Sequence, residues 1–255
     1  MFKTSAVLFG LLIGCATPVL AETIIISTPA IPPVSGADNE PGYLKNIVTE
    51  AGRRIGIKIM FRHQPAKRSL VSSNSGQTHG ELHRIEGLEK YYPNLIRVPE
   101  VMLIDRFVGF AAKPDMHIED WLNTGAMKIH YPRGWAIYAN TFGEDAEHHS
   151  GGKGEDLFKM VASKRIDIAM HTLDKGTYIA KQAGVQVYPV SPPFAVKKMY
   201  VYLHKSKAHL IEPLAQAFRD IKASGTYEKI KKDVLYHYGL TDQAYFTSSF
   251  AMPAP

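Results

Sequence analysis

The chain has 255 residues, with 30 Lys and Arg against 24 Asp and Glu for a formal charge of +6, and 45% of it is hydrophobic. That length can bury one large domain or two small ones, and a single cysteine excludes an internal disulfide. The basic residues are scattered with no polybasic block, which argues against nucleic acid as a partner and leaves the charge as solubility with a mild bias towards anionic ligands.

In chain order, the first feature is "MFKTSAVLFGLLIGCATPVLAETIII". Lys3 precedes an apolar stretch from Ala6 to Ile13, and Val19-Leu20-Ala21 ends it in a small-x-small pattern. The stretch is shorter than the roughly 20 residues a bilayer span needs. Residues 1–21 therefore read as a cleaved secretory signal with Glu22 as the first mature residue, which places the protein in the periplasm. Leu12-Ile13-Gly14-Cys15 also resembles a bacterial lipobox, leaving lipid anchoring at Cys15 as the alternative. Cleavage removes Lys3 and the only cysteine, and lowers the charge from +6 to +5.

"TIIIST" is a short apolar strand, and "AIPPVSGADNEPG" a turn-rich loop. Leu44, Ile47, Val48, Ala51 and Ile55 recur at helical spacing behind Pro41, and Gly56 stops the helix. The strand "IKIMF", a helix from Ala66 to Ser73 and a third strand from His79 to Leu82 follow. This alternation predicts a parallel sheet with right-handed crossovers. The run "GELHRIEGLEKYYPN", Gly80 to Asn94, is dense in charge where the strand ends, which suits either a solvated loop or a ligand-facing strand end.

"RFVGFAA", Arg106 to Ala112, is extended and apolar and opens a second α/β set. Its expected parts are a helix around "IEDWLN", the strand "MKIHY", a helix opening at Gly134, the loop "GEDAEHHSGGKGED", a helix through Leu157 to Ala162, the strand "IDIAM", the helix "LDKGTYIAKQA" and the strand "VQVYPV". The chain returns through the extended "KKMYVYLHK". It ends in a helix from Ala208 to Ala223, a Ser224-Gly225 stop, and a last helix with Thr226 as N-cap.

The stretches "GYLKNIVTEAGRRIGIKIMF", "SGQTHGELHR…YPNLIRVPE", "KRIDIAM" and "FRDIKASGTYEKIKK", in that order, resemble the bacterial extracellular solute-binding proteins of the amino-acid-binding type, the periplasmic components of ABC importers. The resemblance implies an α/β, two-lobed periplasmic-binding-protein-like fold of type II. Lobe one would be residues 22–108 plus 196–255 and lobe two 109–195, joined by two extended hinge crossovers near residues 106–111 and 195–201. It implies a monomer that holds a small-molecule ligand between the lobes and delivers it to an inner-membrane ABC permease, with no cofactor. Such sheets bind ligands outside the carboxyl ends of their strands, where helix N-termini offer free N–H groups.

Arg84, after the third strand, suits a two-pronged clamp on a carboxylate or an ion pair with Glu81 or Glu86. Glu81 suits a ligand cation or a buried bridge to Arg84. Arg68 opens the helix after the second strand, and Tyr43 stands near the first loop as a cleft aromatic or a helix-packing residue. Amino-acid binders carry their carboxylate-binding Arg in a Thr-x-Glu-Arg-like turn; here that turn reads Gly87-Leu88-Glu89-Lys90. At the strand-to-helix turn of lobe two they carry Gly-Thr, replaced here by Gly134-Trp135 beside Arg133. The backbone donors survive this change, and Trp135 is left to lie against a planar ligand group or to pack in the core. Thr172 occupies the position where the family commonly has an acid for the ligand amine, with Asp174 two residues on and His171 before it. These departures leave the ligand class open: an amino-acid-like molecule or an organic acid is expected, with peptides, amines and modified amino acids also open.

"EDAEHH", Glu144 to His149, matches no zinc spacing and reads as a polar loop, and "SGGKGED" lacks the Gly-Lys-Ser/Thr order of a phosphate loop. No nucleophile elbow or metalloprotease motif appears, which predicts a binding protein rather than an enzyme. Two rivals remain. One is a secreted, dehydratase-like enzyme on the same fold using Glu81 or His171, and the other a ligand-presenting subunit for a membrane sensor.

Overall fold

The computed structural model describes residues 21–133, 135–143, 147–148 and 154–240. Strand β1 (Thr23–Thr28) buries Ile24 and Ile26 and pairs in parallel with β2 (Lys58–His63) and β3 (Gly80–Ile85). Between them run helices α1 (Tyr43–Arg54) and α2 (Ala66–Asn74). The apolar stripe of α1, Leu44, Ile47, Val48 and Ala51, is fully buried, and Gly56 ends the helix at φ +75°, where a side chain would be strained. Two helices near the C-terminus, α6 (Ile211–Ala223) and α7 (Thr226–His237), pack on α1 and close this half.

Two long strands leave it. Strand β5 (Leu103–Ala111) runs out and β10 (Ala195–His204) runs back, paired antiparallel from Leu103 opposite Met199 to Phe107 opposite Ala195. β10 also pairs antiparallel with β3 and with β4 (Leu95–Arg97). Beyond the pair, β5 lies antiparallel to β8 (Ile168–Thr172) and to β9 (Tyr188–Pro189). β6 (Ile129–Pro132) is parallel to β8 and to the short β7 (Glu147–His148). The continuous order is β2-β1-β3-β10-β5-β8-β6-β7. Helices α3 (Ala136–Phe142), α4 (Glu155–Ala162) and α5 (Leu173–Gln182) belong to the second half, where Val108, Phe110, Phe158, Val161 and Leu173 form a core of their own.

Several sequence expectations change. The sheet is mixed rather than parallel, because the two connecting strands traverse it in opposite senses and every pairing they make is antiparallel. "IEDWLN" is a turn, not a helix: Asp120 accepts the Leu122 N–H at 2.9 Å through its side chain and the Asn123 N–H at 3.1 Å through its carbonyl, while Trp121 donates to the Pro192 carbonyl at 3.1 Å. "VQVYPV" reduces to Tyr188–Pro189, paired with Phe110 and Ala111 of β5, with the Val190 N–H donating to the Gly109 carbonyl at 2.8 Å beyond it. Helix α6 begins at Ile211 rather than Ala208, with Lys205–Leu210 forming a 3-10 stretch before it. The N-cap of α7 is Gly225, at φ +70°, and Thr226 is its first helical residue, its hydroxyl 2.9 Å from that of Ser224. β3 starts one residue late and runs on to Ile85, so Arg84 lies within the strand rather than after it. β8 is shifted two residues later than "IDIAM" and includes His171 and Thr172. Helix α3 opens at Ala136, two residues after Gly134, which lies outside the described residues. Among the described residues no helix is long and apolar enough to cross a membrane.

Candidate functional site

A cleft of about 470 Å³ opens between the two halves. Its walls come from the loop after β1, the end of β3, the connecting strands β5 and β10, the start of α3, and the β8–α5 junction. Apart from β5 and β10, which line it mid-strand with Asp105, Phe107 and Met199, these are carboxyl ends of strands and N-termini of helices, where polar backbone groups face outward.

From the first half, β3 supplies His83, Arg84 and Ile85. The Arg84 Nη2 donates to Glu81 Oε1 at 2.5 Å and to the Ala66 carbonyl at 3.3 Å, while its Nε is buried and takes no partner. Glu81, at 0% exposure, lies behind Arg84, its other oxygen against the Ser69 hydroxyl. Burial raises the Glu81 carboxyl, against the opposing pull of the Arg84 charge and the Ser69 hydroxyl. His83 Nδ1 is buried without a partner, and burial together with the Arg84 and Lys175 charges pushes the ring down to about 3, so it is neutral at neutral pH.

From the second half come Trp135, Ile137, Thr172 and Lys175. The Thr172 amide donates to His171 Nδ1 at 2.8 Å, and the Tyr138 hydroxyl donates to the His171 carbonyl at 3.0 Å. His171 is thus fixed by protein contacts, with burial and the Lys175 charge holding it neutral. Trp135 stacks on Tyr138 at 5.7 Å and 3° and meets Phe107 edge-on at 6.0 Å, so one ring both lines the cleft and packs. Lys175, in the first turn of α5, holds its Nζ 5.9 Å from the Trp135 ring centroid. Burial lowers its ammonium to about 8, with Asp105 opposing. Asp105 stands on β5 at the floor, where burial and the charge of Asp174 raise it to about 8.

Of the residues singled out from sequence, Arg84, Trp135 and Thr172 come together here. Glu81 sits behind Arg84 and is spoken for by the protein. Arg68 and Arg133 are exposed and away from the lining, and Gly134 lies outside the described residues. Tyr43 is a core residue at 0% exposure: its hydroxyl donates to Asp174 at 2.9 Å, tying α1 to α5. Most of Glu144 to His149 also lies outside the described residues, among which no group of three His, Cys, Asp or Glu could hold a metal. Lys175, Asp105, His83 and Phe107 are additions of the structure. Lys175 was the findable one, since it follows a strand end by one helical turn.

The arrangement of two α/β halves, two antiparallel connecting strands and a cleft at strand ends recurs in solved structures. A histidine kinase sensor domain with similarity to periplasmic binding proteins superposes with a TM-score of 0.69 at 17% identity, over 84% of this chain and 96% of that one. The fold is that of the periplasmic binding proteins. An ancestral arginine-binding protein bound to arginine matches at 0.65 and 18% identity, over 83% of this chain and 97% of the other. A putative L-cystine ABC transporter protein from Listeria monocytogenes matches at 0.65 and 17%, over 88% and 98%. By sequence, an uncharacterized protein of Shewanella oneidensis is 27% identical over 203 residues, 73% of each chain. No protein-family model matches the chain.

Proposed function

We propose that this is a periplasmic solute-binding protein that closes two lobes on a small polar or anionic molecule and hands it, as a monomer, to an inner-membrane ABC permease. The observation that carries the reading is the cleft itself: it is of small-molecule size and is lined by Lys175 and by Arg84, whose buried Nε takes no partner. In this reading the lobes are residues 22–108 with 196–255 and residues 109–195. The paired strands β5 and β10 bend, and closure is a population shift driven by contacts made only in the closed form. A secretory signal over residues 1–21 delivers the chain to the periplasm. A binding role over a catalytic one is supported by the two groups a catalytic version would use, since Glu81 is engaged by Arg84 and Ser69 and His171 by Thr172.

A second reading, ligand presentation to a membrane sensor, is favoured by the likeness to a histidine kinase sensor domain. Both readings require the same cleft to bind.

The test is thermal unfolding of the mature protein, unfolded and refolded to remove carried-over ligand, against amino acids, organic acids and polyamines. A ligand at about 100 times its dissociation constant adds about 2.7 kcal/mol to the native state, a shift of several degrees. The shift should vanish in Arg84→Ala, measured from that variant's own ligand-free midpoint. No shift with any compound, or an undiminished shift in the variant, contradicts the reading. Copurification with a permease as against a kinase then separates its two forms.

A further inference from the structure

The cleft's charges point to what it holds. Arg84 reaches it from β3 and Lys175 from α5, one from each half. Arg84 spends only Nη2 on the protein and leaves a buried Nε unused. Lys175 has no carboxylate within 4.0 Å among the described residues. It lies at the N-terminal turn of a ten-residue helix, so the helix dipole adds to its field. The one carboxyl in the lining is Asp105, on the floor, where it too lacks a cation within 4.0 Å among the described residues. Raised to about 8 by burial and by Asp174, it is mostly protonated at neutral pH and offers a ligand ammonium little charge. His83 is neutral. The remaining wall is largely apolar, with Ile31, Val34, Phe107, Trp135, Ile137 and Met199.

We propose that the cleft takes a carboxylate with an apolar or aromatic body and no ammonium group, the carboxylate held between Arg84 and Lys175 and the body against Trp135 and Phe107. The inference rests on the binding reading above and narrows it. An α-amino acid would bring its ammonium to a site with two cations already in place, and an amine would lack the carboxylate that Arg84 and Lys175 recognise.

The experiment is calorimetric titration of the refolded mature protein with a matched set: 3-phenylpropanoate, phenylalanine and phenethylamine. The acid should bind, phenylalanine should bind at least about tenfold more weakly, and phenethylamine should give no heat, the differences that a single charge-assisted hydrogen bond produces. Lys175→Gln should weaken the acid by about tenfold or more, and Lys175→Arg should keep it, which separates lost charge from lost fold. Asp105→Asn should tighten the acid at about pH 8 by removing a neighbouring negative charge, whereas an ammonium ligand would be weakened. Preference for phenylalanine or phenethylamine, or weaker acid binding in Asp105→Asn, overturns the inference and leaves the binding reading standing. Silence from all three compounds also overturns it. The broad unfolding panel then decides the wider reading alone, because a hit there from another class sustains binding without this ligand class.

Discussion

Asp105 and Glu81 show how burial sets the behaviour of single residues here. Asp105 is raised from an ordinary carboxyl value of 3.8 to about 8 in the native protein, so between those values the folded state holds a proton that the unfolded chain releases. Stability from this group is full below about pH 4 and is lost as the pH rises towards 8. Asp105→Asn, which cannot ionise, should therefore leave the melting temperature near wild type at about pH 4 and exceed it by several degrees at about pH 8, with the gain levelling off above that. Thermal scans across this range check it, and a gain independent of pH would contradict it. Glu81 differs in having a cation beside it. Glu81→Ala removes the partner of a guanidinium whose side chain is only 17% exposed, and should cost about 3 kcal/mol in urea unfolding. The place of Arg84, Trp135 and Thr172 on the cleft wall was legible in the sequence, because each lies at or near the end of a strand. That of Asp105 was not, because it looks like an ordinary solvated charge until the facing half of the molecule buries it, whereas Lys175, one helical turn past a strand end, carried a positional signal. Arg68 and Arg133 lie exposed and outside the lining, since proximity along the chain to a strand end does not fix which way a long side chain turns.

Among the elements, α5 is held by two unlike contacts. Gly176 lies so close to Phe110 on β5 that a Cβ would meet the ring at 2.3 Å. Gly176→Ala should destabilise by about 1–3 kcal/mol through overpacking, despite the better helix propensity of Ala. On another side of the helix, Asp174 accepts the Tyr43 hydroxyl from α1 and has Lys231 of α7 at 3.9 Å. Tyr43→Phe should cost about 1 kcal/mol in chemical unfolding, the ordinary worth of one such bond with its acceptor still near a cation. Periodicity exposed α1 and α4 because each has an apolar stripe wide enough to read, whereas the buried face of α2 is Ser69, Ser72 and Ser73. It misplaced "IEDWLN", whose Asp120 bonds its own backbone, and it missed β4, three residues whose pairing with β10 is visible only in space.

At the scale of the whole molecule, the two halves meet along β5 and β10 and across the cleft, with the Tyr43–Asp174 bond joining them through α1 and α5. The order of elements in the sequence carried the two-lobed fold, since a chain that leaves one α/β set and returns to it must cross twice. It did not carry the mixed sheet, which follows from the direction of those crossings. A small molecule bound in this cleft would lie against Trp135, which is placed to report it. Tryptophan emission should be followed while the best compound from the unfolding panel is titrated into the refolded protein and into Trp135→Phe. The wild type should show a saturable change, with the same midpoint as the thermal shift, that is lost in Trp135→Phe, where only Trp121 remains. A compound that stabilises the protein yet leaves Trp135 emission unchanged would bind elsewhere, and would rule out this cleft as the binding site.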